Sequence, residues 1–277
     1  MTTWNWILAL VAVVAGLYLW QRLSTRGAGG KLFGSMKALY EGPHEYREVS
    51  LEGFPHLDHG YYQRMTAALE ALGFRRLGDL EDVTSNASGI ALPTLIRTMV
   101  SGDGKTVAGI YWVTMPGPLG LLLRLMRYLP ARVVDLETPL DNGHFLLTSN
   151  AQAGGLDSPL EIHNEFMPRD SEPRDLWARH RARLVELERR EPPIRGLATA
   201  DLAESIRYQH QIEEIKARFR RKRPGLVSAQ EMERLAGPGQ KGAARALHTE
   251  MLRRQRAGSE GGSDADGEGG GRPGAPS

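Results

Sequence analysis

The 277-residue chain contains no cysteine. Disulfides, thiol catalysis, a lipidated cysteine and thiolate metal sites are therefore excluded, and the absence is compatible with a reducing compartment. Catalytic signatures are missing too. No H-E-x-x-H or G-x-S-x-G pattern occurs, and no G-x-G-x-x-G stands in a strand–turn–helix context. Gly104-Lys105-Thr106 comes nearest to a phosphate loop. It has Met99 where that loop needs glycine, and it falls in an expected hairpin turn. There is no internal repeat. No basic side chain precedes the first apolar run, and no small-residue cleavage site follows it, which argues against a cleaved signal peptide.

What is present is ordinary in bulk. Hydrophobic content is 41%, charged content 25% and formal net charge +2, enough to bury a core but uninformative about partners. The distribution says more: residues 44–170 carry about −6 and residues 171–256 about +8.

Residues 4–20 read WNWILALVAVVAGLYLW without a charge. A helix of about 17–20 residues spans about 25–30 Å, close to the hydrocarbon core. Trp4 and Trp6 at one end, with Tyr18 and Trp20 at the other, match interfacial belts. The expectation is a transmembrane anchor over 1–22. Arg22, Arg26, Lys31 and Lys37 follow it, so the positive-inside rule puts the N-terminus outside and the bulk of the chain in the cytoplasm. The lipid bilayer is then a partner.

A glycine-rich basic linker is expected over 23–43, then an α+β globular domain over 44–170. Asp58 is a helix cap for 59–72, with Tyr62, Met65, Leu69 and Leu72 at helical spacing and Gly73 as the stop. Two hairpins follow, one turning at 101–104 and one at Asp141-Asn142-Gly143, where Asn-Gly favours a type I′ turn. With 74–83 as a fifth strand, the reading is an antiparallel sheet with flanking helices. Between the hairpins, 116–130 is either a short packed helix or an interfacial one, with Leu122 and Leu125 in lipid and Arg124 and Arg127 at headgroups.

Residues 171–256 are expected to be a helical basic region: helices over 172–190 and 199–223, then a third capped by Ser228 and Glu231. Residues 257–277, all small or polar apart from alanine and proline, are expected to be disordered.

Candidate sites are few. His44, Glu48, His56, Asp58 and His59 are the best metal candidates by residue type, His56, Asp58 and His59 being the closest together, but their spacing matches no zinc pattern, and Asp58 already has a capping role. His144, Glu161, His163 and Glu165 read as surface groups. No cofactor is expected. Lys216, Arg218, Arg220, Arg221, Lys222 and Arg223 form a basic run that suits an anionic lipid, nucleic acid, a protein partner, or the chain's own acidic domain.

Three segments carry a resemblance: LGFRRLGDLEDV from Leu72, RTMVSGDGKTVAGIYWV from Arg97 and VVDLETPLDNGHFLLTSN from Val133. Together they resemble a group of uncharacterised bacterial proteins, often membrane-anchored. The resemblance implies a bacterial inner membrane and transfers no catalytic residue. The function expected is a membrane-tethered binding or scaffolding module. The alternatives are a membrane-bound enzyme with a non-local site and contact with anionic lipid or nucleic acid through the basic helix.

Overall fold

The computed structural model describes residues 43–87, 92–114, 131–151, 157–236 and 241–263, with Gly34, Lys37 and Tyr40 ahead of them. The chain divides into two units, Lys37–Arg221 and a second one containing the segment from Lys222 on.

Among the described residues of the first unit, seven strands form one sheet in chain order: β1 (Tyr46–Glu48), β2 (Arg75–Asp82), β3 (Ile96–Val100), β4 (Val107–Val113), β5 (Ala131–Pro139), β6 (Phe145–Ser149) and β7 (Ile162–Phe166). Its helices are α1 (His59–Glu70), the short α2 (Val83–Ala87), α3 (Pro173–Glu188) and α4 (Leu202–Arg221). The two expected hairpins are β3–β4 and β5–β6, and the expected fifth strand is β2.

The sheet corrects the antiparallel expectation: β6 and β7 run parallel, so it is mixed. Parallel neighbours need a connection of about a dozen residues, as the stretch from 150 to 161 provides. The turn at Asn142-Gly143 also differs. Gly143 alone has positive φ, at 79°, whereas type I′ needs it at both central residues. The Gly143 amide donates to the Leu140 carbonyl at 3.0 Å, and the Asn142 side chain accepts from the His144 amide. This is a longer loop ending in a left-handed glycine.

Among the described residues no helix is long and apolar enough to cross a membrane. That finding corrects the single-pass reading, with its outward N-terminus, cytoplasmic domain and bacterial inner membrane. The long helices carry charge on most turns; α4 alone holds Glu204, Arg207, Glu213, Glu214, Lys216 and Arg218, each costly in hydrocarbon. Trp4, Trp6, Tyr18, Trp20 and Arg22 lie outside the described residues, as do most of the expected linker and the 116–130 segment with Leu122, Arg124, Leu125 and Arg127.

Side chains alternate across the strands, so the sheet has two different faces. One is apolar. Met99, Ala108, Ile110, Val134 and Leu136 pack there against Tyr62 and Leu69 of α1 and Leu176 of α3. Asp58 caps α1 by accepting from the Tyr61 amide at 3.0 Å, and Gly73, at φ 89°, ends the turn that follows. Burying Leu69 completely contributes roughly 1.5–3 kcal/mol. The other face is covered by α4. Its stripe of Tyr208, Ile212 and Ile215 meets Phe145, Leu147 and Ile162 at the β6–β7 end. Gly78 of β2 lets α4 come close, since a Cβ there would lie 2.7 Å from Leu202.

In the second unit α5 (Ala229–Ala236) and α6 (Lys241–Ser263) are described. The capping box forms as expected: the Ser228 hydroxyl accepts from the Glu231 amide, and Glu231 accepts from the Ser228 amide at 2.6 Å. Helix α6 continues past Gly258, into the segment expected to be disordered; residues 264–277 lie outside the description.

Candidate functional site: a carboxylate-lined cavity under α4

Away from the Phe145 end, the α4 face of the sheet is not filled. A cavity of about 160 Å3 lies between α4 and strands β1–β5. The stripe that reaches it, Ser205, Gln209, Glu213 and Lys216, is rotated one step around α4 from the apolar one. Below it the sheet presents Tyr46, Asp82, Thr98, Tyr111, Asp135 and Glu137. Gly109 leaves the floor open, because a Cβ there would meet only Ile96, at 3.4 Å.

Strand register brings these groups together. Gly109 pairs with Asp135, Val107 with Glu137, and Tyr46 with Asp82. Asp135 and Glu137, two residues apart, share one face of β5.

Two of the four carboxyls have basic neighbours. Asp82 meets His44 Nδ1 at 2.8 Å and accepts from the Ser85 amide and hydroxyl. Burial alone would raise Asp82, but His44 and Ser85 hold it below the usual carboxylate range. Glu213 accepts from Lys216 Nζ at 2.8 Å, and its other oxygen lies 3.7 Å from His44 Nε2. Burial alone would lower Lys216; the charge and hydrogen bond of Glu213 hold it above its ordinary value.

The other two carboxyls have no hydrogen-bonded cation. Tyr111 donates its hydroxyl to Asp135 Oδ2 at 2.5 Å, and Ser149, the register partner of Asp135 on β6, is a second neutral hydrogen-bonding neighbour. Glu137 accepts from the Gln209 amide. Burial pushes Asp135 up, with Ser149, Tyr111 and Lys216 acting against it. Burial, reinforced by the Asp135 charge, pushes Glu137 up to about 7. Burial and then Asp135 raise Tyr111 well above its ordinary value, so its phenol stays a donor at neutral pH.

The groups singled out from sequence lie elsewhere, apart from Lys216 and from His44, which contacts Asp82 and Glu213. His56 Nε2 lies 2.7 Å from the Pro93 carbonyl, and His59 Nε2 lies 3.1 Å from that of Phe54. Asp58 caps α1 and pairs with Arg132 at 2.9 Å. Among the described residues no three His, Asp or Glu side chains are grouped to hold a metal ion. His144 Nδ1 and His163 Nε2 are 3.1 Å apart, while Glu165 pairs with Arg179 and Arg183.

In the basic run, Lys216 serves the cavity. Arg218 lies 3.6 Å from Glu161, Arg220 is buried and donates to the Asp157 carbonyl, and Arg221 pairs with Glu214. In the second unit Lys222 is exposed and Arg223 pairs with Glu231 at 3.0 Å. Most of the run is thus engaged in intramolecular contacts.

Reading the sequence missed Tyr111, Asp135 and Glu137. Their alternation on β4 and β5 reads as a solvent-facing edge. The available signal was on α4, where a polar stripe at 205, 209, 213 and 216 runs beside the apolar one. Comparisons of the chain with protein-family models, curated proteins and solved structures find no match.

Proposed function

We propose that the first unit is a binding module for a small polar ligand, received in the cavity between α4 and the sheet. One observation carries this reading: a cavity of about 160 Å3 lined by four carboxyls, two of which, Asp135 and Glu137, have no cation hydrogen-bonded to them. Carboxylates withdrawn from water are normally paired with a charge, and an exception calls for a function or a guest. An engineered apolar cavity of about 150 Å3 holds a benzene, so a ligand of about six to nine heavy atoms fits the space.

Gly109→Val tests the reading. The new side chain enters the cavity from the floor, and valine suits a strand. Stability is expected to change by less than about 1 kcal/mol. Fragments that raise the Tm of the unaltered chain by binding its folded state are expected to lose that effect. Equal shifts in both proteins place binding elsewhere and overturn the reading.

A second reading, catalysis, is favoured by Glu137, whose carboxyl near 7 matches the operating range of a general acid or base. It requires turnover of a bound fragment that Glu137→Gln abolishes.

A further inference from the structure

We propose that the occupant of the cavity is a compact organic cation, an alkyl amine or diamine, held by Asp135 and Glu137. The proposal rests on the binding reading above and adds the ligand's class.

Four carboxyls face one ammonium in the lining: Asp82, Asp135, Glu137 and Glu213 against Lys216. Glu213 is paired with Lys216, and Asp82 with the His44 ring. Asp135 and Glu137 are left with neutral partners, the Ser149 hydroxyl and the Tyr111 phenol for the first and the Gln209 amide for the second. Two neighbouring carboxyls without a hydrogen-bonded cation, partly withdrawn from water and sharing only the more distant charge of Lys216, are an unfavourable arrangement for an empty site. An ammonium brought between them supplies up to three donors and the missing charge. A point-like metal ion suits the site less well, since the carboxyls do not cluster three to a point. The hydrocarbon part of an amine has Leu80, Ile96 and Val107 to lie against.

Cation binding then requires a proton to leave. Glu137 is held up to about 7 by burial and Asp135. The groups facing it are Asp135 on its own strand, Tyr46 on β1, Tyr111 on β4, and Gln209, Glu213 and Lys216 on α4, with Asp82 of β2 across the cavity. Of these Lys216 and Gln209 favour the ionised form, and Asp135 and Glu213 oppose it. The cation takes over part of the role of Lys216 and drives the carboxyl to ionise.

The test is calorimetric titration of the full chain with putrescine, beside its neutral isostere butane-1,4-diol, at pH 8 and pH 6. Saturable putrescine binding is expected, about tenfold weaker at pH 6, because a carboxyl half-ionised near 7 falls from about nine-tenths to one-tenth ionised. Proton release is read from the unaltered chain, as the change in binding heat between buffers of different ionisation enthalpy, so it needs no variant. Glu137→Gln is expected to weaken putrescine at least tenfold and flatten the pH profile. Diol bound as well as putrescine, without pH dependence, overturns the cation while leaving the pocket intact. Binding of neither probe overturns the cation, and the Gly109→Val fragment comparison then decides the pocket separately. Putrescine bound equally by Gly109→Val overturns both readings at this site.

Discussion

Asp79→Asn is expected to cost the first unit about 3–5 kcal/mol, the usual cost of removing one partner of a buried ion pair. Asp79 and Arg97 are register partners across β2 and β3. Arg97 donates through Nε and Nη2 to the two Asp79 oxygens, both at 2.8 Å. The Asp79 carboxylate is fully buried, and only 8% of the Arg97 side chain is exposed. The guanidinium also lies 5.8 Å from the centre of the Tyr62 ring on α1, so the pair sits in the packing of α1 on the sheet. Asparagine keeps the shape and removes the charge, leaving a buried guanidinium without its counter-ion. Arg76, half exposed beside Asp79, cannot replace it because its charge has the same sign as that of Arg97. The measurement is equilibrium urea unfolding. Replacing both partners, Asp79→Leu with Arg97→Met, is expected to recover most of the loss, because desolvation costs disappear along with the attraction. A single-variant cost below about 1 kcal/mol contradicts the description of the pair as buried.

Acid is expected to weaken the same unit through His180. This side chain of α3 is wholly buried, with Nε2 2.9 Å from Thr138 Oγ1 and Nδ1 3.0 Å from Thr148 Oγ1. Arg183 donates to the same Thr148 hydroxyl at 2.7 Å. Burial, and then the Arg183 charge, lower His180 from 6.5 to about 3. Above about pH 6.5 the ring is neutral in both folded and unfolded chains, and stability is unaffected. As pH falls below 6.5 the unfolded chain takes up a proton that the folded chain refuses, so stability drops until the folded ring itself titrates near 3. The slope is about 1.4 kcal/mol per pH unit, which amounts to about 3 kcal/mol between pH 6.5 and pH 4. His180→Gln keeps a donor and an acceptor without titrating. Urea midpoints for the two proteins at pH 7 and pH 4 separate this effect from that of the carboxylates, which both share. Identical pH slopes would refute the assignment.

The elements that were legible in the sequence were those whose determinants are local. Helix α1 announces itself by Asp58, by apolar residues at helical spacing and by Gly73. The hairpins show in their turn glycines, and α5 in the Ser228–Glu231 box. Strands β1 and β7 were not legible. The first has three residues and the second reads IHNEF, so neither shows an alternating apolar pattern; the sheet recruits them through backbone hydrogen bonds to β2 and β6. The parallel sense of β7 likewise depends on where the chain returns.

The candidate site shows the division most clearly. Sequence alone determined that β5 alternates, that α4 carries a polar stripe beside an apolar one, and that chemistry based on cysteine is excluded. It pointed to His56, Asp58, His59 and the basic run because polar residues close together along the chain are easy to see. Tertiary structure decided which polar residues meet. Only the laying of α4 across β1–β5 turns Asp135 and Glu137 from ordinary strand-surface acids into the wall of a cavity. Only the strand register places Tyr111 on Asp135, and only burial beside the Asp135 charge brings Glu137 to about 7. The physical reason is that alternation and helical spacing are set by backbone geometry within a few residues. Desolvation and the pairing of charges depend instead on neighbours brought together by packing, here from β5 and α4, about 70 residues apart.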